Sequence, residues 1–205
     1  MKMFPGLFDC VYLFAQAQGW NKLKGITHTL KEPLHIKRNW NRRSKRWSQQ
    51  LQELANTTDG SDKIVKVGNV VIGKADEFRI DGTEVFLGLR EDGTEVAVRR
   101  AKDDCEVLKN EKDFLCLIDD ASIVRYWDFV EDENYGYLCL QLCECTLEDH
   151  IKNQSLSESV RRAIAEQVLK GLNKLHCQNP PILHRNLKPQ NVLIGKLQKK
   201  SKTTS

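Results

Sequence analysis

No stretch of the 205-residue chain approaches the ~18 consecutive apolar residues that a membrane-crossing helix needs, which argues against an integral helical membrane protein. No disulfide framework can be read from it either. The seven cysteines are odd in number and sit mostly inside apolar segments, the pattern of reduced thiols in a cytoplasmic protein. Cys143-Glu144-Cys145 lacks a second Cys/His pair at zinc-finger spacing, so structural cysteine is preferred over metal. A secretory leader is also wanting. Phe4–Ala17 is apolar and ends in Ala15-Gln16-Ala17, but Pro5 and Asp9 break the run.

The composition that is present, 40% hydrophobic and 29% charged, suits a globular protein with one core. The net charge of +4 is unevenly placed: residues 1–63 carry 11 Lys/Arg against 5 Asp/Glu, whereas residues 64–205 carry 21 against 23. Residues 1–62 are therefore expected to be a basic, weakly ordered N-terminal extension. Within it Lys37, Arg38, Arg42, Arg43, Lys45 and Arg46 are interleaved with Trp40 and Trp47. Such a run suits a nucleic-acid backbone, with bases stacking on the indoles. The preferred reading is plainer, a solvated basic face on a helix entering Ser48–Ala55, where Trp40, Trp47, Leu51 and Leu54 recur at helical spacing. The polar run 56–62 marks the domain boundary.

Beyond it, Val- and Ile-rich Lys63–Ile72, Glu84–Arg90 and Glu95–Arg99 read as strands, the last two joined by an Asp92-Gly93 turn. Asp104–Ile118 has helical spacing, and Ile123–Val130 and Tyr135–Leu142 read as two further strands. A short helix follows at Thr146–Lys152. A long amphipathic one spans Ser155–Cys177, with the stripe Val160, Ile164, Val168, Leu172 and Leu175 and a capping box from Ser155 to Glu158. A five-stranded antiparallel sheet with one helix, then a helical part, is an α+β arrangement.

Pro181–Ile194 reads PILHRNLKPQNVLI. A His-Arg-x-Leu-Lys-Pro-x-Asn run directly after an amphipathic helix resembles the catalytic loop of the protein kinases, with Lys188 as in the serine/threonine class. Val96-Ala97-Val98-Arg99 then resembles the third strand, Glu111 the αC glutamate, Ile123–Trp127 the fourth strand, and Leu138–Cys145 the fifth strand and hinge. The wording of these segments and of Gln141–Glu148 is similar to the inositol-requiring ER-stress kinase/endoribonucleases and to ribonuclease L. The resemblance implies a kinase-like fold truncated before Asp-Phe-Gly. It places the N-lobe at 63–142, the hinge at 143–146, the start of the C-lobe at 147–194 and a disordered basic tail at 195–205. It implies an ATP cleft lined by Val85, Ala97, Leu140 and the Cys143 backbone, with Gly73 and Gly82 flanking the phosphate loop, Asn191 as a Mg2+ ligand, and His184 and Arg185 as architecture.

The departures from the family decide the expected mechanism. Asn186 stands where the family carries the catalytic Asp, and an amide cannot accept a proton. Arg99 stands where the family carries the phosphate-binding Lys; it keeps the charge in a larger, planar group. Gly73 and Gly82 are nine positions apart, wider than the outer pair of GxGxxG, with no glycine between them. The expectation is a pseudokinase that binds ATP weakly or not at all, holds Mg2+ poorly, and works through a protein partner or self-association along the Val160–Leu175 stripe. An active serine/threonine kinase and a basic nucleic-acid-binding module are the alternatives.

Overall fold

The computed structural model describes residues 13–16, 40, 42–58, 60–75, 79–80, 84–102 and 105–195. They fall into two compact units: a sheet unit from 40–112 and 126–142, and a helical unit from 13–16, 113–125 and 143–195.

The sheet unit is a six-stranded antiparallel sheet of β2 (Ile64–Val67), β3 (Val70–Gly73), β4 (Val85–Arg90), β5 (Glu95–Ala101), β6 (Tyr126–Glu131) and β7 (Gly136–Gln141), in the order β2-β3-β4-β5-β7-β6. The single strand expected over Lys63–Ile72 divides into a hairpin, which is why six strands form and not five. Gly68 makes the turn with φ +56, and a Cβ there would lie 2.9 Å from Val130 Cγ2. The expected Asp92-Gly93 turn forms: Gly93 has φ +81, and the Thr94 N–H donates to Asp92 Oδ1 at 2.9 Å.

Strict alternation sorts the residues of these strands onto two faces. One carries Val70, Ile72, Phe86, Val96, Val98, Tyr137 and Cys139, clustered and buried. The other carries Val71, Leu87, Leu89 and Leu142, and helix α1 (Ser48–Asn56) covers them with Trp47, Leu51 and Leu54. That spacing of four and three is the apolar stripe of a helix, and each buried leucine is worth about 1.5–3 kcal/mol. The approach to α1 is fixed by a buried carboxylate. Glu95, 2% exposed, accepts from the Trp40 indole at 2.7 Å and from the Arg43 and Ser44 backbone N–H groups, both at 2.8 Å. The expected weak order of residues 1–62 is thereby corrected for 40 and 42–58, which are part of the sheet unit. The rest of that segment, Lys37 and Arg38 included, lies outside the described residues except for 13–16 and 60–62.

Helix α2 (Cys105–Leu117) follows the sheet's central strands. The helical unit holds β1 (Leu13–Gln16), β8 (Cys145–Thr146), α3 (Leu147–Asn153), α4 (Glu158–His176) and β9 (Val192–Gly195). β9 lies between β1, which pairs with it in parallel, and β8. α3 starts with a reciprocal capping box, Thr146 with Asp149. The box expected between Ser155 and Glu158 does not form. The Ser157 hydroxyl accepts from the Val160 N–H instead, so α4 begins at Glu158, two residues before the stripe's first member, Val160. Along that stripe Ile164 and Leu175 are buried, with Gly171 between them where β1 crosses: a Cβ there would meet Leu13 Cδ2 at 2.8 Å and the Ser122 carbonyl at 3.0 Å. The polar tail beyond Gly195 lies outside the described residues.

Candidate functional site

In the sheet unit the register gathers five of the expected site residues on the face that α1 shares. Val85 is opposite Arg99, and Ala97 is opposite both Leu87 and Leu140, so Val85, Ala97, Arg99 and Leu140 sit side by side on three adjacent strands. Leu140 is buried, and Val85 and Ala97 are half-buried. Gly73 ends β3 on the same face, opposite Ile64. Gly82 lies outside the described residues. The result is a patch of small and branched apolar side chains with one cation at its edge.

That cation is already engaged. Arg99 Nη1 donates to Glu111 Oε2 at 2.5 Å, from β5 to α2. The pair forms because Arg99 points off the sheet toward the buried side of α2, where Glu111 is only 4% exposed. Burial pushes the Glu111 carboxyl above its ordinary value, and the Arg99 guanidinium opposes the shift by charge and by hydrogen bond. The contact uses a single carboxylate oxygen. Among the described residues Glu111 Oε1 is buried and has no hydrogen-bond partner, so this is not the bidentate fork of which arginine is capable.

The helical unit holds Cys143, Asn186, Lys188 and Asn191. Cys143 is half-buried, and burial pushes its thiol well above the usual range, leaving its backbone as the group it can offer a ligand. The Glu144 N–H beside it donates to the Ile194 carbonyl at 2.9 Å, tying this segment to β9. From Ile182 the chain runs through a loop in which Arg185 is left-handed at φ +55, an uncommon conformation for a residue with a Cβ. It lets His184 turn inward, 2% exposed, while the Asn186 N–H donates to the His184 carbonyl at 2.7 Å. Asn191 braces the loop: its Nδ2 donates to the Asn186 carbonyl at 2.8 Å, and its N–H to the Lys188 carbonyl at 2.9 Å. This bracing was not foreseen, although the five-residue spacing of two amides around Lys188 is its visible signal. Gln190 adds a second unforeseen tie, donating to Glu148 Oε1 of α3 at 2.8 Å. Lys188 is exposed at the loop's rim.

No group of three or more His, Cys, Asp or Glu able to hold a metal occurs among the described residues. No described helix is long and apolar enough to cross a membrane. The basic run that suggested nucleic acid has exposed Arg42, Arg43, Lys45 and Arg46, but its indoles are occupied. Trp47 is 7% exposed, Trp40 is bonded to Glu95, and the Arg42 and Arg46 guanidiniums lie 5.2 and 4.5 Å from the ring centroids of Trp40 and Trp47.

The profile of the protein kinase domain matches residues 82–203. Among individual proteins, the serine/threonine-protein kinase/endoribonuclease ire-1 of Caenorhabditis elegans is 36% identical over 119 residues, 56% of this chain and 12% of that protein. The mouse 2-5A-dependent ribonuclease is 28% identical over 167 residues, 76% of this chain and 21% of that protein. Mouse sperm motility kinase 2A is 35% identical over 109 residues, 51% of this chain and 21% of that protein. The chain thus spans about a fifth or less of the length of these relatives.

Proposed function

The chain belongs to the protein kinase domain family, and from that premise we propose that it is a pseudokinase, a domain that keeps the kinase scaffold, does not transfer phosphate, and acts through protein contacts. One observation carries the reading. The residue at the position of the family's proton-accepting Asp is Asn186, whose backbone carbonyl is clamped by the Asn191 amide. A carboxamide has no basic lone pair near neutral pH, so it can orient a hydroxyl and cannot relieve it of its proton.

The other groups agree with this reading. The patch of Val85, Ala97 and Leu140 fits the flat apolar surface of an adenine. Arg99 would meet phosphate only in competition with Glu111, its partner at 2.5 Å. The residues present do not fit Mg2+. Asn191 has one nitrogen committed to the Asn186 carbonyl and offers a single neutral oxygen, whereas Mg2+ is held through carboxylates in a near-octahedral oxygen set. ATP, when bound, would supply the transferable phosphoryl group; the chain's own residues give its base a surface and give the attacking hydroxyl no proton acceptor at Asn186.

The test is phosphate transfer from radiolabelled ATP by the full chain, to itself and to a basic protein substrate. We expect no transfer above that of an Asn191→Ala variant. Transfer that disappears on Asn191→Ala establishes an active serine/threonine kinase and overturns the proposal.

A further inference from the structure

We propose that α1 forms a side wall of the adenine patch and that Glu95 is the positioning residue that holds it there, so that nucleotide binding and the docking of α1 are coupled. On β5 the residues Glu95, Ala97 and Arg99 point to one face and set out three rows on it. Leu89 lies opposite Glu95, Leu87 and Leu140 flank Ala97, and Val85 and Leu138 flank Arg99. Trp47, Leu51 and Leu54 of the α1 segment pack with Leu87 and Leu89, and Ala97 is packed against that same cluster. Leu87 and Leu89 have no exposed surface, whereas Ala97 is only half-buried. The cover given by α1 therefore ends at the middle row, and half-buried Val85 in the third row lies beyond it.

This edge falls where a base would lie. A helix with its side chains is about 10 Å across, far thicker than an aromatic ring. A base flat on Val85, Ala97 and Leu140 would abut the flank of α1. Its phosphates would lead away, because Arg99 is four residues along β5 from Glu95, about 13 Å at the rise of a strand. The wall is pinned at its start. Glu95 Oε1 accepts from Trp40 Nε1 at 2.7 Å and from the Arg43 N–H at 2.8 Å, and Oε2 accepts from the Ser44 N–H at 2.8 Å. The Ser44 hydroxyl in turn accepts from the Trp47 N–H at 3.1 Å, so one buried carboxylate sets the approach and the first turn of the helix. Loosening this latch takes the wall from the base and leaves the phosphate end untouched. The inference rests on the adenine reading of the patch and adds to it a part of the chain outside the matched kinase profile.

Calorimetric titration of the full chain with adenosine, ATP and inorganic triphosphate tests it. Glu95→Gln and Trp40→Phe each weaken the latch, and neither residue belongs to the patch. Each should weaken adenosine and ATP by the same factor, at least about fivefold, and leave the response to triphosphate unchanged. Val130→Ala, which trims the sheet's other face, should leave adenosine affinity unchanged. Coupling is reciprocal, so saturating ATP should slow hydrogen exchange of the α1 amides in the native chain. Circular dichroism checks that each variant is folded. Adenosine affinity unchanged in both latch variants overturns the proposal and leaves the adenine reading standing. Tighter binding in them also overturns it, by making α1 a competitor for the patch. A native chain that binds neither adenosine nor ATP overturns the adenine reading and this inference with it.

Discussion

In the sheet unit both faces of the central strands are largely covered, with Val85 and Ala97 left half-buried. Phe86, Val96 and Val98 cluster on one side, and α1 lays Trp47, Leu51 and Leu54 over Leu87, Leu89 and Leu142 on the other. In the helical unit α4 is covered where Leu13 crosses Gly171 but opens on a groove where Ile151 and Leu187 are half in solvent. The difference lies in what each unit recruits from the chain's N-terminal third. The sheet unit takes a nine-residue helix anchored by a buried carboxylate, and the helical unit takes a four-residue strand. A closed core makes stability; an open trough leaves apolar side chains in water. The candidate site's parts divide between the units too, with Val85, Ala97, Leu140 and the altered Arg99 on the sheet and the altered Asn186 on the loop.

The largest effect should come from opening the covered face. Leu54→Ala removes a side chain with no exposed surface and should cost about 2–5 kcal/mol in urea unfolding followed by tryptophan fluorescence. Ile151→Ala, at the groove, should stay within about 0.5 kcal/mol. Equal losses at the two positions would erase the contrast between the units. Next comes the anchor. Glu95→Gln replaces a charged acceptor of three donors with a single neutral oxygen, and should destabilise by about 1–3 kcal/mol, read as a shift in the same midpoint. No shift would mean that α1 stays in place through its leucines alone.

A smaller effect concerns pH. The folded pKa of Glu111 is raised by burial, so its contribution to stability is fully present below the ordinary carboxylate value and is lost as pH rises through the raised one. Unfolding midpoints measured across that window should fall with rising pH in the native chain, and the fall should be absent in Glu111→Gln. A native chain that gains stability on this account as pH rises would show that the Arg99 pairing outweighs the burial.

How much of this was legible depended on how local its cause is. The loop His184–Asn191 could be read because its residue types are fixed by neighbours within eight positions. The Asp92-Gly93 hairpin carries its own turn chemistry, and the stripe Trp47, Leu51, Leu54 declares its buried face. The strand β1 could not be read. Four residues that pair in parallel with Val192–Gly195 leave no local trace of a partner so distant in sequence. Gly68 went unrecognised for a related reason, since Val and Ile on both sides read as one strand and only the positive φ breaks it. Glu95 looked like any strand-edge charge; its burial exists because a segment over 50 positions earlier folds back to donate to it. In the site, Arg99 and Glu111 are each placed by their order in the chain, while their single-oxygen contact and the clamp from Asn191 need coordinates.

The central claim is that the sheet unit keeps a surface for adenine while the loop lacks a proton acceptor and a set of metal ligands. Calorimetric titration of the full chain with ATP, with and without Mg2+, tests it most directly. The account predicts weak binding, no tighter than the micromolar range and unchanged by Mg2+. Sub-micromolar affinity that requires Mg2+ would contradict it.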